Sequence, residues 1–283
     1  MDEFLLAWSL FHDAWLVALL LAAVLPLCGI VLVLRHQLFL AAAIGQAATF
    51  GIALGTALGL APAVTPASSH AEAFSLLLAL LAGSATAVTA MRTLSTTGSP
   101  LETRSAWIFL AGAALSVLVC CKLPHGLEEV HRLTMSSLLG ASPGDVWITA
   151  ALLVLVATAA ATRRRALLLW AIDPVTAQVQ GARVFTYDVA VGTTIGATTG
   201  FAIHATGLLF AFGLTLLPVL LARSLARSVR TVVWLAPLCG VLGTAASLVL
   251  AHVEDLPPGQ VAVGLLVVLL PVAALLRRAS RTW

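Results

Sequence analysis

The chain has 283 residues, of which 60% are hydrophobic and only 10% charged, with a formal net charge of +3 and a mean hydropathy of +1.05. A soluble domain needs a charged skin, and this composition does not supply one. The single lysine and the lack of a basic patch interleaved with aromatics exclude a nucleic-acid-binding module.

Met1-Asp2-Glu3 is acidic and lacks the basic segment of a cleavable signal, so the first apolar run reads as a retained span. Apolar runs lie at about 14–34, 38–60, 72–91, 105–121, 145–161, 187–203, 207–222, 232–252 and 260–276. Most are about 16–24 residues, too long for barrel strands of about 9–11, and they lack the alternation that such strands require. Lipid leaves the backbone no hydrogen-bond partner, so the spans are helices. The expected fold is an all-α polytopic transmembrane bundle, one domain over 1–283, with nine membrane segments, or eight if one is re-entrant. The run at 207–222 is short for a hydrocarbon core of about 30 Å, and Pro218 is expected to help end it.

Within the spans, Gly51-Gly55-Gly59 and Gly192-Gly196-Gly200 form two ladders with glycine at every fourth position. Such a ladder makes a smooth groove into which another helix backbone fits. Cys28, Cys120, Cys121 and Cys239 all sit in apolar runs without zinc-ligand spacing and read as small packing residues.

Charge sign tests the layout independently. With the N-terminus outside and nine alternating segments, every basic residue except Lys122 and Arg132 falls in an inner loop. The C-terminus is then cytoplasmic. The outer face would carry nine of the twelve acids and most of the histidines, a mouth that would attract cations. Acids also accumulate simply where arginine is excluded, and both readings stand.

The loop after the fifth segment differs from the others. Behind Arg163-Arg164-Arg165 comes Trp170-Ala171-Ile172-Asp173-Pro174-Val175-Thr176-Ala177-Gln178-Val179-Gln180-Gly181. Asp173 suits an N-cap, Pro174 the first helical position and Gly181 the stop, which predicts a short helix inside the cell over about 173–181. It is either a docking element for a motor domain or a connector lying on the surface. The chain contains no G-x-x-x-x-G-K-[ST] segment, so ATP, if it drives transport, belongs to another polypeptide.

At this loop the chain resembles the permease subunits of the zinc/manganese/iron-type ABC importers. Four stretches carry the resemblance. They are Pro26-Leu27 with Gly29 through Arg35, Gly51 and Gly55; Leu139-Gly140 with Ser142-Pro143-Gly144-Asp145; Asp173-Pro174 through Ala177 and Gly181, with Gly207-Leu208-Leu209 and Leu217-Pro218; and Asp255-Leu256-Pro257-Pro258-Gly259-Gln260-Val261. The resemblance implies a permease in the bacterial inner membrane that is not itself an enzyme. It implies a second permease chain in a homodimer or heterodimer, a cytoplasmic ATPase that carries the ATP, and an extracytoplasmic metal-binding receptor. It also implies that 173–181 is the coupling helix and that a divalent metal is the cargo.

One departure bears on that cargo. The family's aspartate and histidine, four residues apart early in the second span, fall here on Ala42 and Gln46. Alanine cannot ligate a metal, and glutamine offers one neutral oxygen. The chain is therefore a divergent heterodimer partner or scaffold, or a permease for another cargo, or one that takes metal through other ligands. Candidates for such ligands are His204, His252, Glu254 and Asp255; each also reads as an ordinary helix-end or loop-capping residue.

Rival classes fare less well. A secondary transporter would carry carboxylates at mid-membrane, whereas Asp188 sits at the edge of a segment. An intramembrane enzyme would need an HExxH or Gly-x-Ser-x-Gly signature, and the sequence has neither.

Overall fold

The computed structural model describes residues 2–58, 69–97, 101–123 and 141–279. Gly59, Leu139-Gly140, His125, Glu128, Glu129, His131 and Arg132 fall outside them. Among the described residues the chain forms helices α1 (Asp2–Leu34), α2 (Leu38–Leu58), α3 (Ser69–Thr97), α4 (Leu101–Cys120), α5 (Pro143–Thr162) and α6 (Arg164–Ile172). These are followed by α7 (Pro174–Val179), α8 (Val184–Thr206), α9 (Leu208–Leu225), α10 (Val229–Glu254) and α11 (Pro258–Ala279). The all-α polytopic bundle is the fold.

Eight of these helices are long and apolar enough to cross a membrane: α1 to α5 and α9 to α11. The ninth long helix, α8, has 23 residues but carries Asp188, Thr193, Thr194, Thr198 and Thr199. Its position explains the polarity. Asp188, Thr198, Thr199 and Thr206 are all buried, and α8 packs chiefly on α3 and α2, so its surface need not match lipid.

Hydropathy pointed to the 207–222 run as the odd segment, yet α9 runs for 18 residues, about 27 Å, and qualifies as a span. Pro218 does not end it, because the helix continues to Leu225. Proline is tolerated inside membrane helices where neighbours cover the disrupted turn, and Pro218 is buried. Pro26, Pro237 and Pro271 are likewise internal to α1, α10 and α11.

Both glycine ladders meet the same helix. A methyl group on Gly51 would fall 2.5 Å from the Leu78 carbonyl oxygen, and Gly55 lies against Ser75, both on α3. Gly192 abuts Val88, Gly196 abuts Gly83 and Ser84, and Gly200 abuts Ala79, again on α3. Thus α2 and α8 each press a glycine groove against α3. Ser84 Oγ adds a 3.2 Å hydrogen bond to the Thr193 carbonyl across the α3–α8 contact.

The second half of the bundle is built around α1, which contacts α5, α9 and α10, while α11 closes on α9 and α10. α1 is the most deeply covered span and α5 the least. The arginines gather at one end. Arg35 meets Asp188, Arg92 lies over Phe185, Arg277 donates to the Arg223 carbonyl, and Arg163 and Arg183 line one cavity beside Gly181. At the other end His252 of α10 stands edge-on to Trp15 of α1, with ring centroids 6.4 Å apart.

Candidate functional site

At the arginine end the chain leaves α5 through Arg163, enters α6 and then breaks at Asp173. That residue is non-helical, with φ −141° and ψ 88°, and a proline follows it. Asp173 Oδ1 accepts from the backbone N–H groups of Val175 (3.1 Å) and Thr176 (3.0 Å), and Oδ2 accepts from the Thr176 hydroxyl (2.5 Å). These donors, the Thr176 hydroxyl foremost, hold the carboxyl below its ordinary pKa.

Helix α7 closes with Gly181 N–H on the Gln178 carbonyl (3.0 Å) and Ala182 N–H on the Ala177 carbonyl (2.9 Å). Gly181 has φ +85° and open space where a Cβ would lie, so backbone conformation alone selects glycine there. The helix faces two ways. Ala177 is fully buried against the bundle. Val175 and Val179 are 68% and 84% exposed and, with Ile172 at the end of α6 (62%), form an apolar face that the bundle leaves uncovered.

Behind α7 lies a polar node that sequence reasoning missed. Asp188 of α8 is 2% exposed and lies 3.4 Å from the Arg35 guanidinium, which follows α1. The same carboxylate oxygen accepts from Trp170 Nε1 of α6 at 3.1 Å. The Arg35 guanidinium lies 4.2 Å from the centre of the Trp170 ring, which stacks on Tyr187. Burial lowers the pKa of Arg35 and the charge of Asp188 opposes that shift. One carboxylate therefore ties together the end of α1, the approach to α7 and the start of α8. A signal for it existed. Of the three acids on the arginine side, Asp173 serves its own cap and Glu102 precedes the 105–121 run, whereas Asp188 alone lies within an apolar run.

The four candidate metal ligands are placed as follows. His204 is half-buried in the last turn of α8. His252, Glu254 and Asp255 are exposed at the end of α10, where Asp255 is a left-handed cap with φ 51°. Among the described residues no three His, Cys, Asp or Glu side chains converge on a point that could hold a metal. Ala42 and Gln46 are partly exposed on α2, and Gly112 of α4 packs on the Gln46 backbone.

A bundle of membrane-length helices, interrupted near its arginine end by a capped two-turn helix with an apolar outer face, is the architecture of a multi-pass membrane protein. The chain belongs to the ABC 3 transport family, whose model matches residues 7–277. A curated membrane protein assigned to a metal transport system of Treponema pallidum (strain Nichols) is 24% identical over 279 residues, 98% of this chain and 99% of that one. Among solved structures, PsaBC from Streptococcus pneumoniae in complex with Fab matches with a TM-score of 0.76 at 18% identity, covering 96% of this chain and 94% of that one. An inward-facing structure assigned to the metal-chelate type of ABC transporter matches with a TM-score of 0.69 at 15% identity, covering 95% and 87%. At these identities the two structures bear on the fold alone. The kinship read from the four sequence stretches thus holds at the level of the family.

Proposed function

We propose that the chain is the permease subunit of a bacterial ATP-binding-cassette importer that moves a divalent metal cation, zinc or manganese, into the cytoplasm. In this reading the arginine end is cytoplasmic, as charge asymmetry favours, and the C-terminus lies on that side. A separate ATPase docks on α7, a metal-binding receptor delivers cargo at the opposite end, and a second permease chain completes the pore. The observation that carries the reading is α7 itself. It is capped at both ends, anchored by the buried Ala177, and presents Val175 and Val179 outward. An ATPase that grips this face and closes on ATP displaces α7, and the Gly181 turn and the Trp170–Asp188 bond pass the displacement to α8 and Arg35. Metal cargo is supported by the description of the Treponema pallidum relative.

The test is uptake of labelled zinc and manganese, with co-purification of the proposed partner ATPase. Wild type should retain the ATPase, and Val175→Asp/Val179→Asp should insert normally yet lose both ATPase and uptake. Undiminished uptake in that variant would overturn the docking role. A cysteine at Thr176 that reacts with an impermeant reagent outside intact cells would overturn the orientation. Ala42 and Gln46 favour one second reading, a heterodimer whose other half supplies the metal ligands; pull-down of a second, non-identical permease would identify it.

A further inference from the structure

A cleft of about 550 Å³ lies between α1, α5 and α8 and plays no part in the reading above. Its walls are apolar, with Leu27 and Val31 from α1, Val156 and Ala160 from α5, and Val191 and Ile195 from α8. Its polar mouth is at the arginine end, where Arg163, Arg183, Thr186 and Tyr187 meet. No ion pair among the described residues engages Arg163 or Arg183. No acid lines the cleft.

We infer that this cleft binds one anionic glycerophospholipid, with an acyl chain between α5 and α8 and the phosphate between Arg163 and Arg183. The dimensions fit. Arg183 to Ile195 covers about 18 Å of helix axis, against about 15 Å for half a hydrocarbon core. The wall formed by α5 belongs to the least covered span, so the cleft opens where lipid reaches it. A guanidinium pair above an apolar slot suits a phosphodiester that carries a net charge and disfavours a zwitterionic headgroup, whose ammonium would face the same arginines. Gly181 and Ala182 line the mouth, so the bound headgroup touches the turn that follows α7 and braces it.

The experiment uses the full chain purified in detergent, with phosphatidylglycerol, phosphatidylcholine or inorganic phosphate added. Native mass spectrometry counts retained lipids and a thermal shift follows stability. Phosphatidylglycerol should remain bound at about one molecule per chain and raise the melting temperature, whereas phosphatidylcholine and phosphate should not. Arg163→Gln/Arg183→Gln should weaken phosphatidylglycerol retention at least tenfold while leaving the melting temperature in phosphatidylcholine unchanged. Ala160→Trp, which keeps both arginines and fills the slot, should also weaken it. Equal retention of phosphatidylcholine, an equal shift from phosphate alone, or cross-linking of a cysteine at Ala190 to a second copy would each overturn the assignment. None of these readouts depends on the ATPase or the cargo, so failure here and failure of the import reading are separately visible.

Discussion

Asp188→Asn should destabilise the chain by about 3 kcal/mol. The Arg35 guanidinium lies 3.4 Å from the carboxylate with both side chains 3% exposed. At an effective dielectric of about 20 that separation corresponds to an attraction of about 5 kcal/mol. Asparagine preserves the shape and an oxygen that still accepts from Trp170 Nε1 and from the Arg35 guanidinium; a hydrogen bond from a charged donor to that uncharged oxygen recovers about 2 kcal/mol of the attraction. The difference, about 3 kcal/mol, is the low end of the penalty of about 3–5 kcal/mol for stranding one member of a buried ion pair. Removing both charges in Arg35→Met/Asp188→Asn should recover most of it and leave a deficit of about 1 kcal/mol, because no buried charge then lacks a partner. Unfolding by dodecyl sulfate in mixed micelles, followed by tryptophan fluorescence, measures both variants. A single variant within 1 kcal/mol of wild type, or a double variant at least as unstable as the single one, would refute this account of the node.

Asp173→Ala should speed amide exchange at Val175 and Thr176, while Asp173→Asn, which still accepts a hydrogen bond, should stay near wild type. Because the folded carboxyl has a lowered pKa, its stabilising contribution is complete above about pH 4 and is lost as pH falls through the depressed value. Exchange at the same two amides, followed from pH 6 to 2.5, should show the loss only at the acid end. Gly181→Ala should cost about 1 kcal/mol through backbone strain at φ +85° without any clash, and should slow uptake at unchanged expression. Gly196→Leu should cost at least about 3 kcal/mol, because its side chain would meet the rigid Gly83 and Ser84 backbone of α3; poor recovery of monodisperse protein would report it.

The spans were legible because lipid imposes a single rule on every backbone group, and long apolar runs satisfy it. The α7 cap was legible because Asp-Pro and Gly act locally, within a few residues. α8 was harder to classify. Its sequence reads as the apolar run 187–203, yet its threonines keep it out of the helices apolar enough to span; α2 and α3 cover them, and coverage is a property of the assembled bundle. The Arg35–Asp188 pair joins positions 153 apart in sequence, and no periodicity links them. Pro218 misled for a related reason, since whether a proline ends a helix depends on neighbours that a single segment does not reveal. The family resemblance located α7 but not its inner support, because Trp170, Arg35 and Asp188 lie on three different elements.

The grip on α3 from both sides has a mechanical consequence. Where backbone lies directly on backbone there are no long side chains to swing aside, and sliding one helix past another would have to break the contact at each glycine in turn. Helices α2, α3 and α8 therefore travel as a slab. Any motion between the halves of the bundle must be taken up at its borders, and between α8 and α9 that border is one residue, Gly207, whose φ of +85° already turns the chain there.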